Sequence, residues 1–228
     1  MPSGTVQLEL SSSDTDEGQI TAISGSGGTV NSTGTSTLDF STSNWNSVRT
    51  VTVKGQNDSS VDGHQAYAVN LSVNDSNTAD SAYDALDNQT VLLTNVDDET
   101  AGFMVSSPSG STSESGDNAT FTVRLTSSPS GSSTVVLDVD SSDDSEGLIE
   151  NSTAQKTLTY NSSDWSTDKT ITVTGQDDVL RDGNQPYTIN ITLSSSSDSN
   201  YSGLNPPVSY THLRAHETDS YLVCRLLL

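Results

Sequence analysis

The chain has 228 residues and sets 8 Lys and Arg against 30 Asp and Glu, a formal net charge of −22 at pH 7. So acidic a surface repels phosphate backbones and anionic lipid, which argues against nucleic acid and membranes as partners and favours cations. A single cysteine excludes a disulfide framework and a thiolate zinc site. Apolar residues make up only 30%, but they are regularly patterned rather than scattered, which argues against disorder.

Taken in chain order, the apolar positions alternate with polar ones wherever they gather. Val6, Leu8 and Leu10 alternate with Gln7 and Glu9, the period of a strand with one buried and one wet face. The Gly-rich stretch from Gln19 to Gly27 is expected to be a lengthened hairpin loop. Val51 and Val53 mark the next clear strand, then Tyr67, Val69, Leu71 and Val73, and then a last strand over Thr90 to Val96. Further along come Phe121, Val123 and Leu125; Val135, Leu137 and Val139; Ile171 and Val173; and Tyr187, Ile189, Ile191 and Leu193. Gly, Asn, Asp and Ser clusters separate these runs, and no useful length shows helical periodicity. The pattern predicts an all-β chain of antiparallel, immunoglobulin-like β-sandwiches.

One passage is written twice. Trp45 to Gly63 and Trp165 to Gly183 match at a constant offset of 120, each with one Trp, one Thr-Val strand and a cluster of Asp and Asn. A domain-sized unit in tandem predicts two sandwich repeats, 1–98 and 99–207. The stretch Gly102 to Ser128 has no counterpart in the first repeat, so Met1 reads as an internal start and the first sandwich as truncated at its N-terminus. With no visible signal peptide or membrane span before that start, export is left open by the sequence.

Residues 208–228 break from this composition. The string VSYTHLRAHETDSYLVCRLLL resembles the in-frame translation of a sequencing-library adapter, an artefact and not part of a natural chain. It is expected to contribute nothing to the fold. It holds the sole cysteine, and removing it takes away two cations and two anions, leaving the net charge at −22.

Chemistry is concentrated in the acidic clusters. Asn57, Asp58 and Asp62 follow the Thr-Val strand of the first repeat, and Asp177, Asp178 and Asp182 follow that of the second. Asp97 and Asp98 close the first repeat. Oxygen-bearing side chains within a few residues of one turn can converge on a hard cation such as Ca²⁺, although Asp and Asn are also ordinary turn residues. The first repeat's loop cluster is expected to approach Asp97 and Asp98 at one pole. Trp45 and Trp165 could stack on a carbohydrate or plug the end of a sandwich, and their shared spacing favours packing.

The passage Glu114 to Leu125, the acidic loops and the Asp97-Asp98-Glu99 triplet together resemble Calx-β domains and the Ser/Thr/Asp-rich tandem repeats of large bacterial surface adhesins. The resemblance covers about 1–207. It implies immunoglobulin-like sandwiches with calcium at one end, and adds Glu114 to Asp177, Asp178 and Asp182 as ligands in the second repeat. The implied function is a spacer or adhesion module of an extracellular or cell-surface protein, with neighbouring repeats and a cell-surface or glycan ligand as partners and no catalytic residues. A carbohydrate-binding module appended to a secreted hydrolase is the alternative.

Overall fold

The computed structural model describes residues 1–150, 155–177 and 183–206, together with the backbone of 213–214. Strands account for 44% of the structure, about twice the usual share, and the one helical element among the described residues is a single 3-10 turn at Asp75–Asn77. The chain is all-β, built from antiparallel sheets with a β-sandwich-like character. None of its helical structure is long and apolar enough to cross a membrane. Two compact units emerge, one formed by Met1–Asp58 and Asp62–Asp98, the other by Ser59–Val61 and the chain from Glu99 onward.

The first unit contains β1 (Val6–Ser12), β2 (Gly18–Ile23), β3 (Gly28–Thr29), β4 (Ser36–Phe40), β5 (Val51–Gly55), β6 (Gln65–Val73) and β7 (Gln89–Asn95). A five-stranded sheet runs in the order β3-β4-β1-β6-β7, and β2 pairs separately with β5. Alternation decides which side chains turn inward. Leu10, Ile20, Leu38 and Val69 form the buried cluster, with Val51, Val53, Leu71 and Leu93 half-covered or packed at its margin.

Part of the expected hairpin loop is strand. Residues 19–23 belong to β2, where Ile20 is buried and the register against β5 shifts between Ile20 and Ala22. The bulge absorbs an extra residue without breaking the ladder, so the turn is confined to 24–27, where Gly25 and Gly27 take positive φ before β3 begins.

The second unit contains β8 (Phe103–Val105), β9 (Asn118–Leu125), β10 (Val135–Ser141), β11 (Gly147–Ile149), β12 (Gln155–Tyr160), β13 (Lys169–Gly175), β14 (Pro186–Tyr187) and β15 (Ile189–Ser196), with a two-residue β16 (Leu213–Arg214). One sheet runs β12-β10-β15 and another β11-β13-β9-β8. Their inward faces bring Phe121, Val123 and Leu125 of β9 together with Val135, Leu137 and Val139 of β10 and Ile171 and Val173 of β13, all buried. Burial of each such side chain contributes roughly 1.5–3 kcal/mol, and this core is far larger than that of the first unit.

The repeat is visible as matching strands. β1, β2, β4 and β5 correspond to β10, β11, β12 and β13, while the first unit has no counterpart of β8 and β9 among the described residues. The two residues of β16 pair with β14, Tyr187 opposite Leu213 and Pro186 opposite Arg214. The first unit pairs Tyr67 with Leu93 and Ala66 with Thr94, positions 120 lower. Two residues of the stretch 208–228 thus do pair with the second unit, as main-chain ladders demand no particular side chain. The remainder of that stretch lies outside the described residues.

The tyrosines report how tightly the second core closes. The buried Tyr160 hydroxyl donates to the Val123 carbonyl. Burial pushes its phenol well above the ordinary value, and the Asp164 and Asp168 carboxylates add to the shift. The folded state therefore favours the neutral phenol. That stabilisation is fully present below the unfolded value near 10 and is lost as pH rises beyond it. Urea unfolding should show the second unit weakening above about pH 10. Tyr160→Phe should cost on the order of 1 kcal/mol at neutral pH and flatten part of that alkaline loss.

Candidate acidic metal site

Three chain segments meet at one pole of the first unit. The tight turn before β2 is set by Asp14, whose carbonyl accepts from the Gly18 amide at 3.0 Å and whose carboxylate accepts from the Asp16 amide at 3.0 Å. The turn delivers Glu17 to the start of β2. A Cβ at Gly18 would overlap the Tyr67 ring, so glycine is required beside Glu17. The Glu17 carbonyl accepts from the Gln56 amide at 3.0 Å, tying this turn to the loop after β5. Asn95, the last residue of β7, completes the arrangement: its amide donates to Glu17 Oε2 at 3.0 Å and to the Gln56 carbonyl at 2.5 Å.

Around this frame one carboxylate oxygen from each of Glu17, Asp58 and Asp62 lies within 4.8 Å of the others. Glu17 is half-buried and the two aspartates are exposed. Calcium–oxygen bonds of 2.3–2.6 Å allow opposite ligands to stand up to about 5 Å apart, so the three oxygens can share one ion. Without a cation, the three charges repel.

The predicted residues divide as follows. Asp58 and Asp62 belong to the carboxylate triad. Asn57 lies beside it, its amide nitrogen donating to the Asp58 carbonyl at 3.1 Å. Asp97 sits at the same pole: its Oδ2 accepts from the Gly63 amide at 2.7 Å, and its own amide donates to His64 Nδ1 at 3.1 Å. Gly63 turns the loop with φ +80. Asp98 is exposed and, like Asp97, stands outside the triad. Glu17 is the residue that the loop pattern overlooked. Its signal was the Glu17-Gly18 pair, matched by Glu146-Gly147 in the second repeat.

The second unit repeats this frame. The Glu146 carbonyl accepts from the Gln176 amide at 3.0 Å, and a Cβ at Gly147 would overlap Tyr187, as at Gly18 and Tyr67. The Tyr187 hydroxyl is paired with Thr112 at 2.8 Å; burial raises its phenol above the ordinary value, and the Glu146 charge adds to the shift. The turn carrying half-buried Glu114 is held against Gly175, whose amide donates to the Asp117 carbonyl at 3.2 Å. Exposed Asp177 follows two residues later, and Gly183 takes φ +79, matching Gly63. Asp178 and Asp182 lie outside the described residues.

The two tryptophans differ. Trp165 is half-buried against the second core, whereas Trp45 is 46% exposed beside Phe40, Tyr83 and Leu86.

No protein-family model matches the chain, and no curated protein matches it either.

Replacing Asp97 with Ala should free the Gly63 amide. Loss of one hydrogen bond, on the order of 1 kcal/mol, should speed its hydrogen exchange by about fivefold. Asp97→Asn, which keeps an acceptor, should leave the rate close to that of the parent.

Proposed function

We propose that the chain comprises tandem immunoglobulin-like sandwich repeats of Calx-β type, serving as calcium-rigidified spacer or adhesion modules of an extracellular bacterial surface protein. The observation that carries this reading is that one acid-bearing pole is built twice. Glu17 and Glu146 each precede a glycine covered by a tyrosine, and each bonds the loop after the Thr-Val strand. Support for calcium comes from the 4.8 Å spacing of the Glu17, Asp58 and Asp62 oxygens and from a net charge of −22. Support for a modular role comes from the tandem repetition itself.

Thermal unfolding of the full chain tests this reading. Calcium bound only by the folded form would add about 2.7 kcal/mol at a free concentration 100-fold above its dissociation constant. Glu17→Gln and Asp58→Asn should each remove most of the calcium-dependent rise in the first unit's midpoint. In chelator, both variants should melt no lower than the parent, because each removes a repelling charge. Identical midpoints with calcium and with chelator would overturn the calcium reading.

A second reading, a carbohydrate-binding module of a secreted hydrolase, is favoured by the exposure of Trp45. It requires glycan binding that is lost in Trp45→Ala while the fold persists.

A further inference from the structure

The second unit shows what covers a Thr-Val strand. β13 lies between β11 and β9, with Ile171 opposite Phe121 and Val173 opposite Ala119. In the first unit β5 has β2 on the side corresponding to β11, and among the described residues no strand pairs with its other edge. Ile171 and Val173 are fully buried, but Val51 and Val53 are only half-buried; Gly175 is buried and Gly55 exposed.

Two apolar pockets open on this side of the first unit. One, of about 430 Å³, is lined by Leu10, Val51, Val53, Val69 and Leu71, with Arg49 at its edge. The other, of about 260 Å³, lies among Val6, Leu8, Phe40, Trp45, Tyr83 and Leu86. In the second unit, Phe121, Val123 and Leu125 bury the matching positions Val135, Leu137 and Val139. The Leu125 amide donates to the Trp165 carbonyl at 3.0 Å.

Arg49 adds a polar element. Its Nε and Nη2 are buried without a hydrogen-bond partner, and its guanidinium lies 5.7 Å from the Phe40 ring centre. Phe40 stands where the second unit has Tyr160, whose hydroxyl donates to the Val123 carbonyl of β9. Buried donors of this kind are normally satisfied.

We propose that the first unit is a strand acceptor: the free edge of β5 and the groove beside it take an extended strand patterned like Ala119 to Leu125, supplied by a further repeat of this sequence type. The main chain of the incoming strand extends the β2-β5 pair, and its alternate apolar side chains enter the two pockets. Arg49 supplies the donor for a strand carbonyl that Tyr160 supplies in the second unit. The occupant is extended because the groove offers a main-chain edge alongside apolar pockets, and a helix, whose own amides are already bonded, could not use that edge.

The test is a synthetic peptide with the sequence from Gly116 to Thr126, titrated into the full chain in chelator, so that the outcome is independent of calcium. Saturable one-to-one binding is expected, with amide shifts concentrated on Val51, Val53 and Trp45. In β9, Thr120 and Thr122 turn their carbonyls toward Ser109 and Ser106, so the amides of Phe121 and Val123 face β13. Methylating those two nitrogens in the peptide should weaken binding by roughly tenfold or more, because two main-chain hydrogen bonds are lost while the side chains remain. Absence of saturable binding would overturn the proposal, as would equal binding of the methylated peptide or shifts confined to β13. A dimer of the chain that excludes the peptide would overturn it in favour of a second copy occupying the groove.

Discussion

The ladder between β9 and β13 governs how completely the second unit closes. It sets Phe121 opposite Ile171 and Ala119 opposite Val173, and with them the inward face of one sheet. That face is wide enough to cover β10 entirely, so Val135, Leu137 and Val139 lose all contact with water. The tyrosines depend on the same ladder. Tyr160 bonds to the Val123 carbonyl, and buried Tyr201 bonds to the Ser127 carbonyl at 2.7 Å while meeting Phe103 edge-on at 5.8 Å. Two strands thus satisfy the polar ends of two large buried side chains as well as supplying apolar area.

The acidic poles rest on a different constraint, the contact between a glycine and a tyrosine. Gly18 under Tyr67 and Gly147 under Tyr187 leave no room for a side chain. The aromatic ring fixes the path of the β2 or β11 start, and the preceding glutamate is carried with it. Main-chain bonds from Gln56 and Gln176 then place the acidic loops beside Glu17 and Glu146. Carboxylates are held near one another by backbone and packing terms that do not depend on their charge. Their repulsion can therefore persist in the folded protein, poised for a cation to relieve it.

Much of this was legible in the chain. The period-two alternation of Val135, Leu137 and Val139, or of Phe121, Val123 and Leu125, marks strands whose inward residues are the buried ones. The constant offset of 120 places Gly63 and Gly183 in the same turn conformation. The stretch from Gln19 to Ile23 was harder, because Thr21 and Ala22 interrupt the alternation at a bulge, and glycines beyond it resemble a loop. Glu17 was hidden for another reason. It stands some 40 residues before Asp58, and only the pairing of β2 with β5 makes them neighbours.

Exposure of an aromatic residue has to be weighed against what its counterpart does. Trp45 and Trp165 occupy the same place in the same passage, but only Trp165 lies beside a β9 strand, to which its carbonyl is bonded. The greater exposure of Trp45 therefore follows from a missing neighbour as readily as from a surface built to stack on sugar. The charge pattern bears on the same edge. Lys54 projects from the exposed part of β5, a common guard against indiscriminate strand pairing, and the net charge of −22 keeps copies of the chain apart. An edge protected in this way but lined by half-covered valines is selective: it resists casual association and yields only to a strand whose alternate side chains fit the pockets.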